Sequence, residues 1–253
     1  MSAFNRRALL ATGAAALAAP ALPSPAQTSP ALAKVDPRPW KDAVIVNALG
    51  GVDNPNVDEN GRESSVARGV RQPLRLDDRV LADLKASGVT AINCTLGYVA
   101  GEGDPYEVTI ASIAQYDRMI REQSDHLLKV YAAADILRAK REGKVGLIYG
   151  FQNAVQVGTN PERIDVFGDL GVRIVQLTYN PANPLGDGAT APENRGLTPL
   201  GREVVDRLNA NRIMVDLSHS GQRTCLDAIA ASKQPISINH TGCRALLDLP
   251  RNK

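Results

Sequence analysis

The sequence predicts an α/β fold in which parallel strands are covered by helices, and three observations lead to it. Short aliphatic runs alternate with segments of helical spacing along most of the chain. Hydrophobic residues make up 43% of the 253 residues and aromatic residues only 4%, so the apolar content is mainly aliphatic, as buried parallel strands require. Glycines precede three of the predicted strands, where the helix before each strand needs a C-cap: Gly88, Gly143 and Gly171.

Six strands are predicted from the apolar runs at residues 43–49, 89–96, 144–151, 172–178, 213–219 and 235–240. Helical spacing predicts helices at residues 76–86, 161–170, 199–211 and 221–231, and a long helical region from about Tyr106 to Arg141 with a break near Ala132. The helix after Thr198 has the clearest start, because Thr198 can act as its N-cap and Pro199 takes the first helical position.

These elements favour a (β/α)8 barrel of which about six units are present. A six-stranded open sheet is the competing architecture, but it does not explain why polar residues collect at the carboxyl ends of the strands, where barrels carry their functional sites. Two further units would need about 76 more residues. We therefore expect residues 40–253 to form an incomplete, C-terminally truncated barrel, preceded by a linker at residues 27–39.

The first 26 residues have the pattern of an export signal: a basic start, an alanine-rich apolar run and small residues before a cleavage site. Arg6 and Arg7, followed by leucines, resemble a twin-arginine signal, and an ordinary Sec signal is the alternative. The apolar run is shorter than the ~20 residues that a membrane-spanning helix needs, so we expect no transmembrane anchor. The sequence therefore predicts an exported, periplasmic protein.

Charge and cysteine usage limit the classes of partner. The formal net charge is +2, and removal of the first 26 residues would leave equal numbers of basic and acidic residues, which argues against nucleic acid as a partner. Three cysteines without CxxC spacing, at positions 94, 225 and 243, predict neither a disulfide framework nor a thiolate zinc site, and we interpret them as buried small hydrophobic residues. The oligomeric state stays open, with a homodimer among the alternatives.

Two of the three histidines, His219 and His240, occupy equivalent positions at the ends of consecutive predicted strands. Each histidine has the parity of two apolar residues before it, Val215 and Leu217 for His219 and Ile236 and Ile238 for His240. Both imidazoles are therefore expected to face each other at one mouth of the sheet. Facing imidazoles can supply two ligands of a zinc site, while two strand-capping histidines are the alternative. His126 is predicted to lie inside a helix as a surface or packing residue.

Several runs of residues resemble the membrane dipeptidases (renal-dipeptidase-like, peptidase family M19), a branch of the amidohydrolase superfamily. The runs are residues 196–205, Asp216 to His219, His240, and Pro250 to Asn252, with a fourth-strand match at Leu177-Thr178 and residues 183–185. The resemblance covers roughly residues 40–253.

The resemblance implies a (β/α)8 barrel with two zinc ions that activate a shared water-derived nucleophile for attack on the peptide bond of a dipeptide. By motif match, His219 and His240 correspond to ligands of one zinc ion, and Arg251 to the arginine that holds the substrate carboxylate. Gln152 takes the position of the glutamate that bridges the two metals. Tyr179 takes the position of a histidine that polarises the carbonyl, and its hydroxyl could donate the same hydrogen bond.

The sequence departs from the family at the first strand, where a His-x-Asp metal-binding pair is replaced by residues 46–51, which contain neither histidine nor carboxylate. Two hypotheses follow. The chain is a zinc dipeptidase with one or two metal ions, or it is a catalytically altered barrel relative that binds a small molecule without a binuclear centre. A third, an unrelated parallel barrel with strand-end histidines, does not explain the ordered motifs.

Overall fold

A computed structural model describes residues 42–52 and 76–253. The predicted export signal and linker lie outside these residues. The described part contains one parallel sheet with the strand order β1-β2-β4-β5-β6-β7, and β3 pairs with β4 outside this order. The strands are β1 (Val46–Gly50), β2 (Ala91–Thr95), β3 (Leu127–Lys129), β4 (Val145–Phe151), β5 (Val172–Gln176), β6 (Met214–Asp216) and β7 (Ile236–Ser237).

Helices alternate with these strands, and their starts follow from the sequence. The helices are α1 (Asp78–Ala86), α2 (Pro105–Glu122), α3 (Ala133–Glu142), α4 (Arg163–Asp169), α5 (Pro199–Ala210) and α6 (Gln222–Ala231). The side chains of Asp77 and Asp104 accept from main-chain N–H groups in the first turns of α1 and α2. Thr198 caps α5 in the same way, with Pro199 at its first position, as the sequence predicts.

The long helical region predicted between Tyr106 and Arg141 is partly confirmed, because it breaks near Ala132, the N-cap of α3, but it was wrong to omit a strand within it. Helix α2 ends at Glu122, and β3 precedes α3. Strand β3 pairs with the amino-terminal part of β4, from Val145 to Leu147, while β5 pairs with the part from Tyr149 to Phe151. With only three residues, β3 is too short for its alternation to be recognised between two helices. His126 is therefore exposed in a turn and does not lie inside a helix.

The two faces of the sheet have different surroundings. Alternate residues of β4, such as Leu147 and Tyr149, are buried in the main core together with apolar side chains of α1, α2, α4, α5 and α6. The opposite face carries a separate, smaller apolar cluster, which includes Ala91 of β2, Ile148 of β4 and Ala139 of α3. The sheet is a half-barrel in which α3 packs on one face and the other five helices on the face of the main core, and it confirms the predicted parallel α/β fold as a partial barrel.

The cysteines only partly follow the prediction. Cys94 and Cys225 are buried, but Cys243 is exposed, because it lies in the segment after β7, which packs little against the sheet. None of the helices in residues 42–52 and 76–253 is both long and apolar enough to cross a bilayer.

Candidate metal and substrate site

The structure brings His219 and His240 together at the carboxyl ends of β6 and β7. Their Nε2 atoms lie 2.8 Å apart, and their ring centroids are 4.8 Å apart. The parity argument behind this prediction is wrong, because Val215 and Leu217 are fully buried in the core on the outer face. Strand β6 ends at Asp216, and a turn after Leu217 brings His219 to the mouth of the sheet.

The main chain of His240 is held by the end of the neighbouring strand. Ser218 Oγ accepts hydrogen bonds from the N–H groups of Asn239, at 2.8 Å, and His240, at 3.1 Å. The same hydroxyl donates to Asp216 Oδ1, which also accepts from Ser218 N. The Asp216 carboxylate and the Ser218 hydroxyl therefore form a buried, hydrogen-bonded pair that positions the main chain of His240 relative to β6.

His219 is held at its side chain by two consecutive residues. The ring of Tyr179 stacks on the imidazole with a centroid distance of 4.2 Å and an interplanar angle of 22°. The Nδ1 atom of His219 lies 2.8 Å from Oδ1 of Asn180. Both contacts come from the chain that follows β5, which is the neighbour of β6 in the sheet.

Both imidazoles are in surroundings that disfavour their charged form. Burial lowers the pKa of His219 to about 3, and the positive charges of Arg251, His240 and Lys253 act in the same direction. Burial also lowers the pKa of His240, with a further contribution from Arg251. At neutral pH both rings are therefore neutral, which is the form in which imidazole binds a metal ion.

Gln152 reaches the same place from the end of β4. Its Nε2 atom is 3.3 Å from Nε2 of His240, and its main-chain oxygen accepts a hydrogen bond from Gln176 Nε2. A carboxamide can present either its oxygen or its nitrogen to a neighbour. The structure thus brings all three residues predicted for the metal site together, as two imidazoles and one neutral amide.

These residues fit one metal ion better than two. Two imidazole nitrogens on a tetrahedral zinc ion lie about 3.3 Å apart when each bond is about 2.0–2.1 Å long, so the Nε2 atoms need to separate by only about 0.5 Å. A second ion would need anionic ligands, but residues 42–52 and 76–253 contain no group of three or more His, Cys, Asp or Glu side chains that could hold a metal. The Asp216 carboxylate is already used by Ser218 and Asn239.

The family resemblance implies further metal ligands at strand β1. In the structure, this strand carries hydrogen bonds with neutral amide side chains instead. Asn93 Nδ2 donates to the main-chain oxygen of Ala48 at 2.8 Å, and Asn47 Oδ1 accepts from Leu49 N. Neither amide is anionic, so a binuclear centre does not fit the described residues at this strand.

Two basic side chains lie beside the histidines. The Arg251 guanidinium donates to the main-chain oxygen of Ser218, and Lys253 Nζ donates to that of Ser220. Both side chains are half-buried, and burial lowers the pKa of each. Tyr179 lies near enough to Arg251 to interact with its charge. The predicted substrate-binding and catalytic residues are therefore both placed at the histidine pair.

The loop between β5 and α5 packs against this site and is fixed by an ion pair between the buried Asp187 and the exposed Arg195. The Asp187 carboxylate, only 2% exposed as a residue, accepts from the main chain and guanidinium of Arg195. This hydrogen bonding lowers the pKa of Asp187. From this loop, Ala189 N donates to the main-chain oxygen of His219 at 2.7 Å. Gly188 is required by close approach, since a Cβ there would lie 2.2 Å from the main-chain oxygen of Asn180.

Sequence reasoning missed the residues that support the histidines. Ser218 lies within the predicted strand at residues 213–219 and Asn180 two residues after the one at 172–178, but the contact of Asn180 with His219 spans 39 residues. The inner face near the site is also rich in amides with buried atoms that have no hydrogen-bond partner in the described residues: Asn93 Oδ1, Gln176 Oε1 and Asn239 Nδ2. The alternation of polar residues along the strands was the available signal for this polar interior.

Comparison with known proteins finds similarity to dipeptidases. Residues 100–252 match the family model of the membrane dipeptidases (peptidase family M19). The dipeptidase tcpJ of Claviceps purpurea is 33% identical over 146 residues, which span 57% of this chain and 34% of that protein. The dipeptidase verJ of Clonostachys rogersoniana is 29% identical over 152 residues, 58% of this chain and 39% of that protein. The chain thus spans little more than a third of these relatives.

Solved structures share the fold. An amidohydrolase from Pseudomonas aeruginosa superimposes with a TM-score of 0.71 at 32% identity, covering 87% of this chain and 59% of that one. A metallopeptidase from Rhodobacter sphaeroides, liganded with a phosphinate mimic of the dipeptide L-Ala-D-Ala, gives a TM-score of 0.66 at 20% identity, covering 83% and 68%. Because the family model matches more than half of the residues, the chain belongs to the membrane dipeptidase family, peptidase family M19.

Proposed function

We propose that this chain carries the site of a metal-dependent hydrolase that cleaves dipeptides. The observation that carries the proposal is the convergence of the Nε2 atoms of His219 and His240, 2.8 Å apart, beside the guanidinium of Arg251. Membership of the family and the dipeptidase relatives support this substrate class.

One divalent metal ion, which we propose to be zinc, would be held by His219, His240 and the amide oxygen of Gln152. When bound, such an ion lowers the pKa of a coordinated water molecule and polarises the substrate carbonyl. The neutrality of both imidazoles at pH 7 favours this role, because each then has one ring nitrogen with a free lone pair.

The side chains around the histidines suit the terminal carboxylate and the peptide bond of a dipeptide. Arg251 can hold the terminal carboxylate, since its planar guanidinium can donate two parallel hydrogen bonds to a carboxylate. The hydroxyl of Tyr179, whose ring stacks on His219, can donate a hydrogen bond to the peptide oxygen. Lys253 adds a second positive charge at the same place.

A second candidate function is binding of a dipeptide-like small molecule without turnover. The observation that favours it is the neutral donor set: Gln152 is an amide, and the described residues contain no cluster of three or more His, Cys, Asp or Glu that could hold a metal. A catalytic zinc site commonly has three protein ligands, of which only two are imidazoles here.

Hydrolysis assays on the full chain separate the two functions. Metal-stripped protein is incubated with a panel of dipeptides before and after addition of one equivalent of zinc, and again with excess chelator. The dipeptidase proposal expects cleavage that requires zinc, disappears in His219→Ala, and persists in His126→Ala, because His126 is exposed and remote from the site. Zinc binding without cleavage of any dipeptide would contradict it and favour the binding function.

We also propose that the chain is exported to the periplasm, on the strength of the first 26 residues of the sequence alone. Fractionation of cells that express the full chain tests this. Recovery in the periplasm with a shortened amino terminus is expected, and recovery in the cytoplasm with an intact Met1 would contradict it.

A further inference from the structure

His219 is held at its second ring nitrogen by a residue to which the sequence assigned no role. The Nδ1 atom lies 2.8 Å from Oδ1 of Asn180. With the Asn180 amide in this orientation, its oxygen accepts the hydrogen bond and Nδ1 carries the single proton of the neutral ring. The Nε2 atom of His219 then carries the lone pair, which accepts the 2.8 Å hydrogen bond from Nε2–H of His240 in the metal-free protein.

The position of Asn180 is itself fixed by hydrogen bonds to its main chain. Its carbonyl oxygen accepts from Thr190 N at 3.0 Å and from Thr190 Oγ1 at 2.9 Å. The preceding residue, Tyr179, stacks on the imidazole of His219. Two consecutive residues therefore contact one ring at its face and at its edge, which restricts rotation of the ring about its χ2 angle.

His240 lacks an equivalent contact. Its Nδ1 atom is buried and has no hydrogen-bond partner among the residues that the structure describes. Its position depends on main-chain hydrogen bonds to Ser218 and on the approach of Gln152. Of the two imidazoles, only that of His219 is therefore oriented by a side-chain hydrogen bond at Nδ1 among the residues that the structure describes.

We propose that Asn180 is a positioning residue that keeps His219 in the Nδ1–H tautomer and so presents the Nε2 lone pair to the metal position. The tautomer follows from the hydrogen bond and the orientation of the Asn180 amide, and the consequence for metal binding rests on the proposed function. Partners of this kind, which orient a metal-binding imidazole through its other nitrogen, commonly change metal affinity by about 10- to 100-fold when removed.

Imidazole ¹⁵N NMR of the full, metal-free chain at pH 7 tests the tautomer directly. The chain has only three histidines, so the resonances can be assigned from His219→Gln, His240→Gln and His126→Gln. We expect His219 to show a protonated Nδ1 and an unprotonated Nε2. An Nε2–H tautomer in the unmodified protein would overturn the proposal without the need for any variant at position 180.

Three variants then separate a positioning role from a structural one. Asn180→Leu removes the acceptor and should populate the Nε2–H form of His219, whereas Asn180→Asp retains an acceptor and should restore the Nδ1–H form. Thr190→Val is the matched control, because it removes a hydrogen bond to the main chain of Asn180 and leaves its side chain intact. An unchanged tautomer in Asn180→Leu would overturn the proposal.

Zinc titration of the same variants adds the functional consequence. Asn180→Leu is expected to bind zinc about 10- to 100-fold more weakly than the unmodified chain, and Asn180→Asp and Thr190→Val about as tightly. If no form binds zinc while the NMR result holds, the proposed function is wrong and the tautomer role of Asn180 stands. If zinc binds equally to all forms, the proposed consequence for the metal is overturned.

Discussion

His219 and His240 meet at one point but come from regions of very different packing. His219 follows β6, in which Val215 and Asp216 are buried, and the residue itself is only 4% exposed. His240 follows β7, a strand of two residues, and residues 241–250 after it are all exposed. In this later segment, Leu246 is 87% and Leu247 58% exposed.

The difference shows how the site depends on the fold. The position of His219 is determined by the packed body of the sheet and by the β5–α5 loop. The main chain of His240 is held by the buried hydroxyl of Ser218, which adds to the short pairing between β6 and β7 in linking the two regions. Substitutions in the packed body, meaning the sheet up to β6 with its helices, should therefore mainly lower the free energy of unfolding. Substitution of Ser218 should mainly change the geometry of the histidine site.

The largest effect is expected for Phe167→Ala in α4. Phe167 is fully buried and makes an edge-on contact with Phe151, with ring centroids 4.9 Å apart. Loss of a buried aromatic ring leaves a cavity and costs about 3–5 kcal/mol of unfolding free energy. Urea denaturation followed by circular dichroism measures this, and a change below about 1 kcal/mol would contradict the description of the body as tightly packed.

Ser218→Ala should have an intermediate effect, concentrated at the link between the regions. The variant leaves the main-chain N–H of His240 without its acceptor and leaves that of Asn239 only the longer bond to Asp216 Oδ1, at a cost of about 1–3 kcal/mol. Hydrogen exchange should show faster exchange at Ile236, Asn239 and His240 while β4 stays protected. Ser220→Ala is the control, because its hydroxyl is equally buried but accepts from Thr178. Equal loosening in both variants would argue against a special role for Ser218.

The ion pair in the β5–α5 loop gives a pH-dependent effect. Hydrogen bonding to Arg195 lowers the pKa of Asp187 in the folded protein. A carboxyl group whose pKa is lowered by folding contributes stability above its unfolded pKa of about 3.9, and this contribution is lost as the pH falls through the folded pKa. Asp187→Asn should therefore be less stable than the unmodified chain at pH 7, and the difference should shrink below pH 4. A difference independent of pH would contradict this explanation.

The smallest effect is expected in the segment after β7. Leu247→Ala removes a side chain that is already 58% exposed, so the unfolding free energy should change by no more than about 0.5 kcal/mol. The same denaturation experiment serves as the check. A loss as large as that of Phe167→Ala would show that Leu247 is buried against a partner in solution.

Much of this architecture could be predicted because it follows local rules. The alternation of aliphatic runs and helical spacing gave the parallel sheet, and Thr198 with Pro199 gave the start of α5. Strand β3 was missed because three residues are too few for a pattern. The proximity of His219 and His240 was predicted correctly although the parity argument was wrong. The strand ends at Asp216, and a turn, which parity cannot describe, places His219. The contact with Asn180 depends on tertiary structure, so the sequence could not reveal it.

The most direct test of the account is zinc stoichiometry on the full, metal-stripped chain by titration calorimetry and elemental analysis. The account predicts one equivalent per chain, lost in His219→Ala and in His240→Ala and retained in His126→Ala. Absence of zinc uptake, or equal uptake in all three variants, would show that the two imidazoles are not a metal site. Two equivalents in the unmodified chain would contradict the single-ion description.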